Sequence, residues 1–251
     1  MKEIIVTRGI RIGFIVFAVL AILAPAFSAP QAPAGQAPVF RPGIIGFPMT
    51  DFSLPAIQGG VFGPSAFKGK NVLIIFPRGK VDDTWCWICP YQYAELADLD
   101  ARQELRKNFN LEILFVLPYG QAEVKHWVEI FQSQMGVIQA WLYPPEFDTF
   151  PARRKEMLMK IRPFYAQAAE FAKAPMPTPF PILYDKDQAV SKMLGLFRTD
   201  WDDSKVDQNI PTIFLVDPAG DVRFKYVSQI TFDRPHAEYL IKIMEKLILG
   251  R

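Results

Sequence analysis

The chain has only two cysteines, and they lie together in Trp85-Cys86-Trp87-Ile88-Cys89-Pro90. Two intervening residues bring the sulfurs within bonding reach across one turn. The chemistry open to such a pair is reversible thiol–disulfide exchange: one thiolate attacks, and the neighbouring thiol resolves the product. An apolar run, residues 71–76, precedes the pair, and a helical pattern, residues 91–107, follows it. The first turn of a helix carries unsatisfied N–H groups and a partial positive charge, which favours a thiolate. Cys86, at the helix entrance, reads as the exposed nucleophile, and Cys89, one turn deeper, as the resolving thiol. Pro90 suits an early helical position, where its missing N–H costs little.

Three other uses of the pair fit less well. A static disulfide over so short a loop removes little chain entropy. A zinc site needs four ligands, and only His126 and His236 are available besides the cysteines, neither at ligand spacing. No metal is therefore expected. Two inert buried thiols conflict with an oxidising compartment. His126, His236 and the Asp202-Asp203 doublet read as groups without chemistry, the doublet as solvated loop. No phosphate-binding glycine loop or nucleotide fingerprint is present, so no cofactor is expected.

The elements that must hold the pair follow from the apolar pattern. Residues 71–76 and 111–117 are apolar on both faces and read as buried strands. With the helix between them they form a β-α-β unit with parallel strands. Residues 212–216 and 221–226 flank Asp217-Pro218-Ala219-Gly220 and read as a β-hairpin. Residues 236–249 read as a closing helix. Residues 121–179 are far more than a crossover needs. They contain two helical patterns, 123–132 and 152–173, the second kinked at Pro163. Trp141-Leu142-Tyr143-Pro144-Pro145 between them is expected to be irregular and to wall the cleft beside Cys86.

The N-terminus reads as an export signal over residues 1–28. Lys2, Arg8 and Arg11 precede an apolar run from Ile12 to Leu23, with cleavage expected after Ser28. An uncleaved membrane anchor is the alternative; either places the body outside the cytoplasm, on the periplasmic or extracellular side. Residues 29–42, rich in Pro, Ala and Gln, read as an extended tether, and residues 43–251 as the folded domain. The formal net charge of +2 is that of the first 28 residues, so the body is neutral. A neutral body is no partner for nucleic acid, and contact with a membrane is expected only through the N-terminal segment.

Further motifs carry a family resemblance. Ile45-Gly46-Phe47-Pro48 with Asp51-Phe52-Ser53-Leu54-Pro55 looks like the opening of the redoxin group, which spans the alkyl hydroperoxide reductase/thiol-specific antioxidant superfamily and exported thioredoxin-like reductases. Phe67-Lys68-Gly69-Lys70, the following strand, Phe180 to Asp185 and Gly195-Leu196 are similar to the same group. Phe76-Pro77-Arg78-Gly79 ahead of Trp85-Cys86 and Cys89 resembles its peroxiredoxin-like branch. The resemblance covers roughly residues 43–118 and 178–250. It implies a thioredoxin-like α/β fold, a central mixed sheet flanked by helices, here with a long helical insert. Ile210-Pro211-Thr212 resembles the cis-proline loop of thioredoxins, which faces the cysteine pair and receives a partner chain like an added strand.

Departures from the peroxiredoxin pattern bear on activity. Asp83, not Thr or Ser, lies three residues before Cys86. Cys89-Pro90-Tyr91-Gln92 also resembles the peroxidatic turn, so the register is open. Pro211 stands where that family brings in an arginine; Arg78 and Arg223 could substitute sterically, but nothing in the sequence shows it. The expected activity is a thiol–disulfide oxidoreductase acting on protein thiols and disulfides with an unknown electron donor or acceptor. Cys86, Cys89 and Pro211 would be catalytic, and Trp85, Trp87, Ile210 and Thr212 would bind the partner. A thiol peroxidase and a binding protein with a static disulfide are the alternatives.

Overall fold

The computed structural model describes residues 43–250; the expected export signal and tether lie outside the described residues. The two doubly apolar runs pair as the sequence suggests. Strand β1 (Asn71–Phe76) is buried along its whole length and runs parallel to β2 (Leu111–Leu117), with Ile74 opposite Leu114. β3 (Ile182–Tyr184) continues the parallel pairing on the far side of β2. β4 (Thr212–Val216) lies antiparallel to β1 and to β5 (Val222–Val227). The sheet order is therefore β5-β4-β1-β2-β3. In the turn between β4 and β5, one Asp217 oxygen accepts N–H groups from Ala219 (2.9 Å) and Asp221 (3.0 Å). Gly220 supplies the left-handed residue, φ 97°, that closes it.

Alternate side chains of each strand enter different layers, as the strand period of two requires. Leu73, Ile75, Ile113, Phe115, Ile213 and Leu215 face one core. Val72, Ile74, Phe76, Leu114, Val116 and Phe214 face the other, with Met49, Phe52 and Leu194. Both faces are covered, which explains the missing polar alternation.

Helix α1 (Ile88–Gln103) begins three residues before the expected start and ends on Glu104 in the left-handed region. It packs on the first layer, and so does the insert. There α2 (Gln121–Glu129) and α3 (Phe131–Leu142) bury Trp127, Phe131, Met135 and Ile138 against the core shared with α1. Trp141 and Leu142 are helical, contrary to the expected irregular stretch. The helix stops there because Pro144 disfavours helical geometry at Tyr143.

Pro163 breaks the second pattern rather than kinking it. α4 (Ala152–Ile161) gives way to a 3₁₀ turn (Arg162–Tyr165) and a single turn of helix (Ala168–Phe171). In this region Leu158, Tyr165 and Ala168 are buried, whereas Met157 and Phe164 are exposed. α5 (Ala237–Met244) closes the chain and widens into a π-type turn (Glu245–Leu249). No helix among the described residues is long and apolar enough to cross a membrane.

Candidate active site

The C-terminal end of β1 delivers the cysteines through a tight local device. The chain after Gly79 forms a small hairpin in which Lys80 faces Trp85 and Val81 faces Thr84. The hairpin returns the chain so that the Cys86 N–H donates to the Gly79 carbonyl at 2.8 Å. Gly79 sits at φ 89°, and a β-carbon there would lie 2.4 Å from the Tyr119 ring, so no other residue fits without displacement.

Cys86 lies just before α1 rather than in its first turn, and the Cys89 N–H donates to its carbonyl at 3.2 Å. Neither thiol is in a disulfide. The expected exposed nucleophile is in fact enclosed: Cys86 is 2% exposed and Cys89 0%. Aromatic neighbours account for this. Trp85 packs edge-on against Tyr119, with centroids 5.2 Å apart. Trp87 meets Trp141 of α3 at 5.1 Å, Tyr165 at 5.7 Å and Phe232 at 6.0 Å. The insert thus does reach the cysteine turn, through Trp141 and Tyr165.

The residue that organises the site is one the sequence reading did not single out. Arg234, in the segment between β5 and α5, is buried and donates Nη1 to Cys89 Sγ at 3.1 Å and Nη2 to Cys86 Sγ at 3.3 Å. A guanidinium does not lose its proton, and a buried charge is costly without a counter-ion. The groups that hold Arg234 in its charged form are the two sulfurs, Cys86 first. Burial alone would push the Cys86 thiol up. The hydrogen bond from Cys89 and the Arg234 charge outweigh it and hold Cys86 well below the ordinary thiol range. Cys89 goes the other way: burial and the hydrogen bond with Cys86 push it well above that range, against the pull of Arg234. The two thiols are thus driven apart beside one guanidinium, Cys86 toward the thiolate and Cys89 toward the protonated form. Cys86 is the partner that lines a cavity of about 400 Å³, with Arg78, Trp85, Trp87, Thr231 and Phe232.

The residues expected to receive a partner chain are arranged differently. Among the described residues no peptide bond is cis, so the Ile210–Pro211 bond is trans, against the resemblance. The Ile210 N–H donates to Leu196 O at 2.8 Å, and its carbonyl accepts the Thr212 hydroxyl at 3.0 Å. The Pro211 carbonyl accepts the Ser228 N–H at 2.9 Å. That backbone is already hydrogen-bonded, and none of the three residues lines the Cys86 cavity.

Arg223 pairs with Asp217 at 3.3 Å, at the turn between β4 and β5. Arg78 is at the site but its donors are engaged elsewhere. Asp202, expected as solvated loop, pairs with it at 3.6 Å. His126 pairs with Glu129 at 3.6 Å and is exposed. His236 precedes α5 and stacks on Phe164 at 4.7 Å.

No family model and no curated protein matches the chain. Solved structures do. A reduced 2-Cys peroxiredoxin of Plasmodium vivax aligns at TM-score 0.51 and 17% identity, over 82% of this chain and 97% of that one. AhpC of Mycobacterium bovis aligns at TM-score 0.51 and 15% identity, over 83% and 94%. AhpC of Enterococcus faecalis aligns at TM-score 0.50 and 16% identity, over 80% and 90%. The fold is thus the thioredoxin-like fold of the peroxiredoxins, with its central mixed sheet flanked by helices. At this identity the likeness speaks for the fold, and the chemistry must be argued from the site.

Proposed function

We propose that the protein is a thiol peroxidase whose Cys86 thiolate reduces a hydroperoxide, with Cys89 as the resolving thiol. The observation that carries this reading is the buried Arg234 guanidinium bonded to both sulfurs. Its end-on fork holds the sulfurs, and its Nε–H has no partner among the described residues. A planar guanidinium presents that Nε–H beside the second hydrogen of Nη2, the nitrogen already on Cys86. Arg234 does not itself line the cavity, so these two donors on the Cys86 side would meet the two oxygens of a peroxide only once it has reached the Cys86 sulfur. They also suit the negative charge that develops on the leaving oxygen.

The steps balance as follows. Cys86 Sγ attacks one peroxide oxygen, the O–O bond breaks, and the leaving alkoxide or hydroxide takes a proton to become alcohol or water. Cys86 is now a sulfenic acid. Cys89 Sγ then attacks Cys86 Sγ, the S–O bond breaks, and the hydroxyl leaves as water with the Cys89 proton. Two thiols and one hydroperoxide give one disulfide, one alcohol or water, and one water. A dithiol reductant returns the pair to its starting state by exchange.

Thiol–disulfide exchange is therefore half of this cycle. Exchange with a protein as the main activity is the second reading. It is favoured by the exposed Ile230 and Phe232 at the rim of the Cys86 cavity. We rank it second for two reasons. A cysteine that is 2% exposed admits a two-oxygen substrate more readily than a protein disulfide. The Ile210–Thr212 backbone also has no free edge for a partner strand. In our reading the N-terminal segment exports this activity out of the cytoplasm. The test is stopped-flow oxidation of the reduced protein by hydrogen peroxide and by an organic hydroperoxide, with a protein disulfide as competitor. Reaction with either peroxide far faster than an ordinary thiol supports the reading. Preference for the protein disulfide replaces it with the second.

A further inference from the structure

Beside the sulfurs lies a buried polar knot that the peroxidase reading does not use. Arg78 follows β1 and is 1% exposed. Its Nε donates to Gln208 Oε1 at 2.7 Å, its Nη2 to the Trp201 carbonyl at 3.0 Å, and its Nη1 to the Thr231 hydroxyl. All three nitrogens are engaged in holding this knot together. Asp202 pairs with it at 3.6 Å and accepts both the Thr231 N–H, at 2.8 Å, and the Thr231 hydroxyl. The Thr231 hydroxyl thus accepts from a cation and donates to an anion at once, a double role open to a hydroxyl and closed to an apolar side chain. Asp202 and Asp203 both line the cavity and sit at φ 49° and 62°, a region unfavourable to residues with side chains. An unfavourable backbone persists only where surrounding contacts hold it.

Thr231 is three residues before Arg234. The knot therefore ties three segments together: the end of β1 that carries Cys86, the 201–203 loop, and the segment that carries Arg234. We propose that Arg78, Asp202 and Thr231 are positioning residues for Cys86: Thr231 clamps the Arg234 segment over the cysteine turn, and Asp202 offsets the charge of Arg78 so that Arg234 is the dominant charge on the sulfur. The charged and titratable groups around Cys86 are Cys89 on its own turn, Arg78 after β1, Arg234 before α5, and Tyr165 from the insert. Asp202 reaches it through Arg78. The inference rests on the reading of Cys86 as the reactive thiol, but its test needs no peroxide.

The experiment is iodoacetamide labelling of Cys86 against pH in the full chain, read by mass spectrometry, with thermal unfolding alongside. Asp202→Asn keeps an acceptor for Thr231 and removes the charge. The freed Arg78 charge should lower the labelling midpoint. Thr231→Val breaks the clamp and loosens Arg234, so the midpoint should rise, by about one pH unit. Thr231→Ser restores the hydroxyl and should titrate like the wild type. Opposite shifts from the first two variants support the inference. Unchanged midpoints, or shifts in the same direction with only a lower melting temperature, overturn it. If Thr231→Val does not fold, Asp202→Asn decides: a midpoint unchanged or raised overturns the inference. A wild-type midpoint in the ordinary thiol range would instead sink the reactive-thiol reading itself.

Discussion

Residues 210–212 and residues 228–234 both lie close in sequence to the β4–β5 hairpin, and the Ser228 N–H is bonded to the Pro211 carbonyl. The first segment carries a recognisable motif and contributes no side chain to the Cys86 cavity. The second carries no motif and delivers Arg234 to both sulfurs, with Thr231 and Phe232 to the cavity. A motif reports local backbone chemistry, whereas the sulfurs respond to whichever charge the fold brings near them. The Cys-x-x-Cys pair is thus a different instrument with a buried guanidinium beside it than with an open proline loop. Cys86 is enclosed, which in our reading favours a small substrate.

The sharpest break in this comparison is at the cysteines. Cys86→Ser should abolish peroxide consumption. Cys89→Ser should keep the first oxidation and stop at the Cys86 sulfenic acid, which a dimedone label detects by mass spectrometry. Fast peroxide oxidation of the Cys86→Ser protein would reverse the assignment and restore the other register.

Arg234→Met tests the segment that carries no motif. Losing a donor to developing negative charge typically costs about 10²–10³ in rate, and stopped-flow oxidation should show a loss of that order. The pH profile should change with it. In the wild type the rate follows the Cys86 thiolate, so it falls only as pH drops through that thiol's depressed pKa. The same thiolate stabilises the fold above the ordinary thiol pKa, and that contribution disappears over the same acidic window. In Arg234→Met the midpoint should rise toward or beyond the ordinary thiol range, because burial then acts without its counterweight.

Trp141→Ala probes how far the insert supports the same wall. The side chain stacks on Phe232 at 5.7 Å and contacts Trp87 at 5.1 Å. Its loss should lower stability by about 2 kcal/mol, less than for a fully buried tryptophan, and speed alkylation of Cys86 in the folded state. Unchanged alkylation would mean that the insert only thickens the domain. The smallest effect is expected at Pro211. Pro211→Ala should change the peroxide rate by less than about threefold, under 1 kcal/mol of barrier. A larger loss would return the proline loop to the mechanism.

What the sequence displayed were features that a local rule can carry. β1 and β2 were legible because they are apolar on both faces, and the β4–β5 hairpin because Asp217-Pro218-Ala219-Gly220 has turn chemistry. Cys86 and Cys89 declared themselves by spacing. Arg234 lies 145 residues after Cys89, in an aperiodic stretch with no spacing to the cysteines, and only the packing of β5 and α5 brings it back. Asp202 was misread for a related reason. An acidic doublet in a loop reads as solvated, but the left-handed backbone at both residues accompanies a carboxylate bonded to Thr231 and Arg78. The enclosure of Cys86 depends on Trp141, Tyr165 and Phe232, which come from two distant segments.

The most direct measurement of the central claim is the ultraviolet thiolate titration of the reduced protein, wild type beside Arg234→Met, with peptide-level labelling to assign the sulfur. One thiolate, on Cys86, should persist well below the ordinary thiol range in the wild type and be lost from that range in the variant. A wild-type Cys86 that titrates as an ordinary thiol, or a midpoint that Arg234→Met does not move, would contradict it.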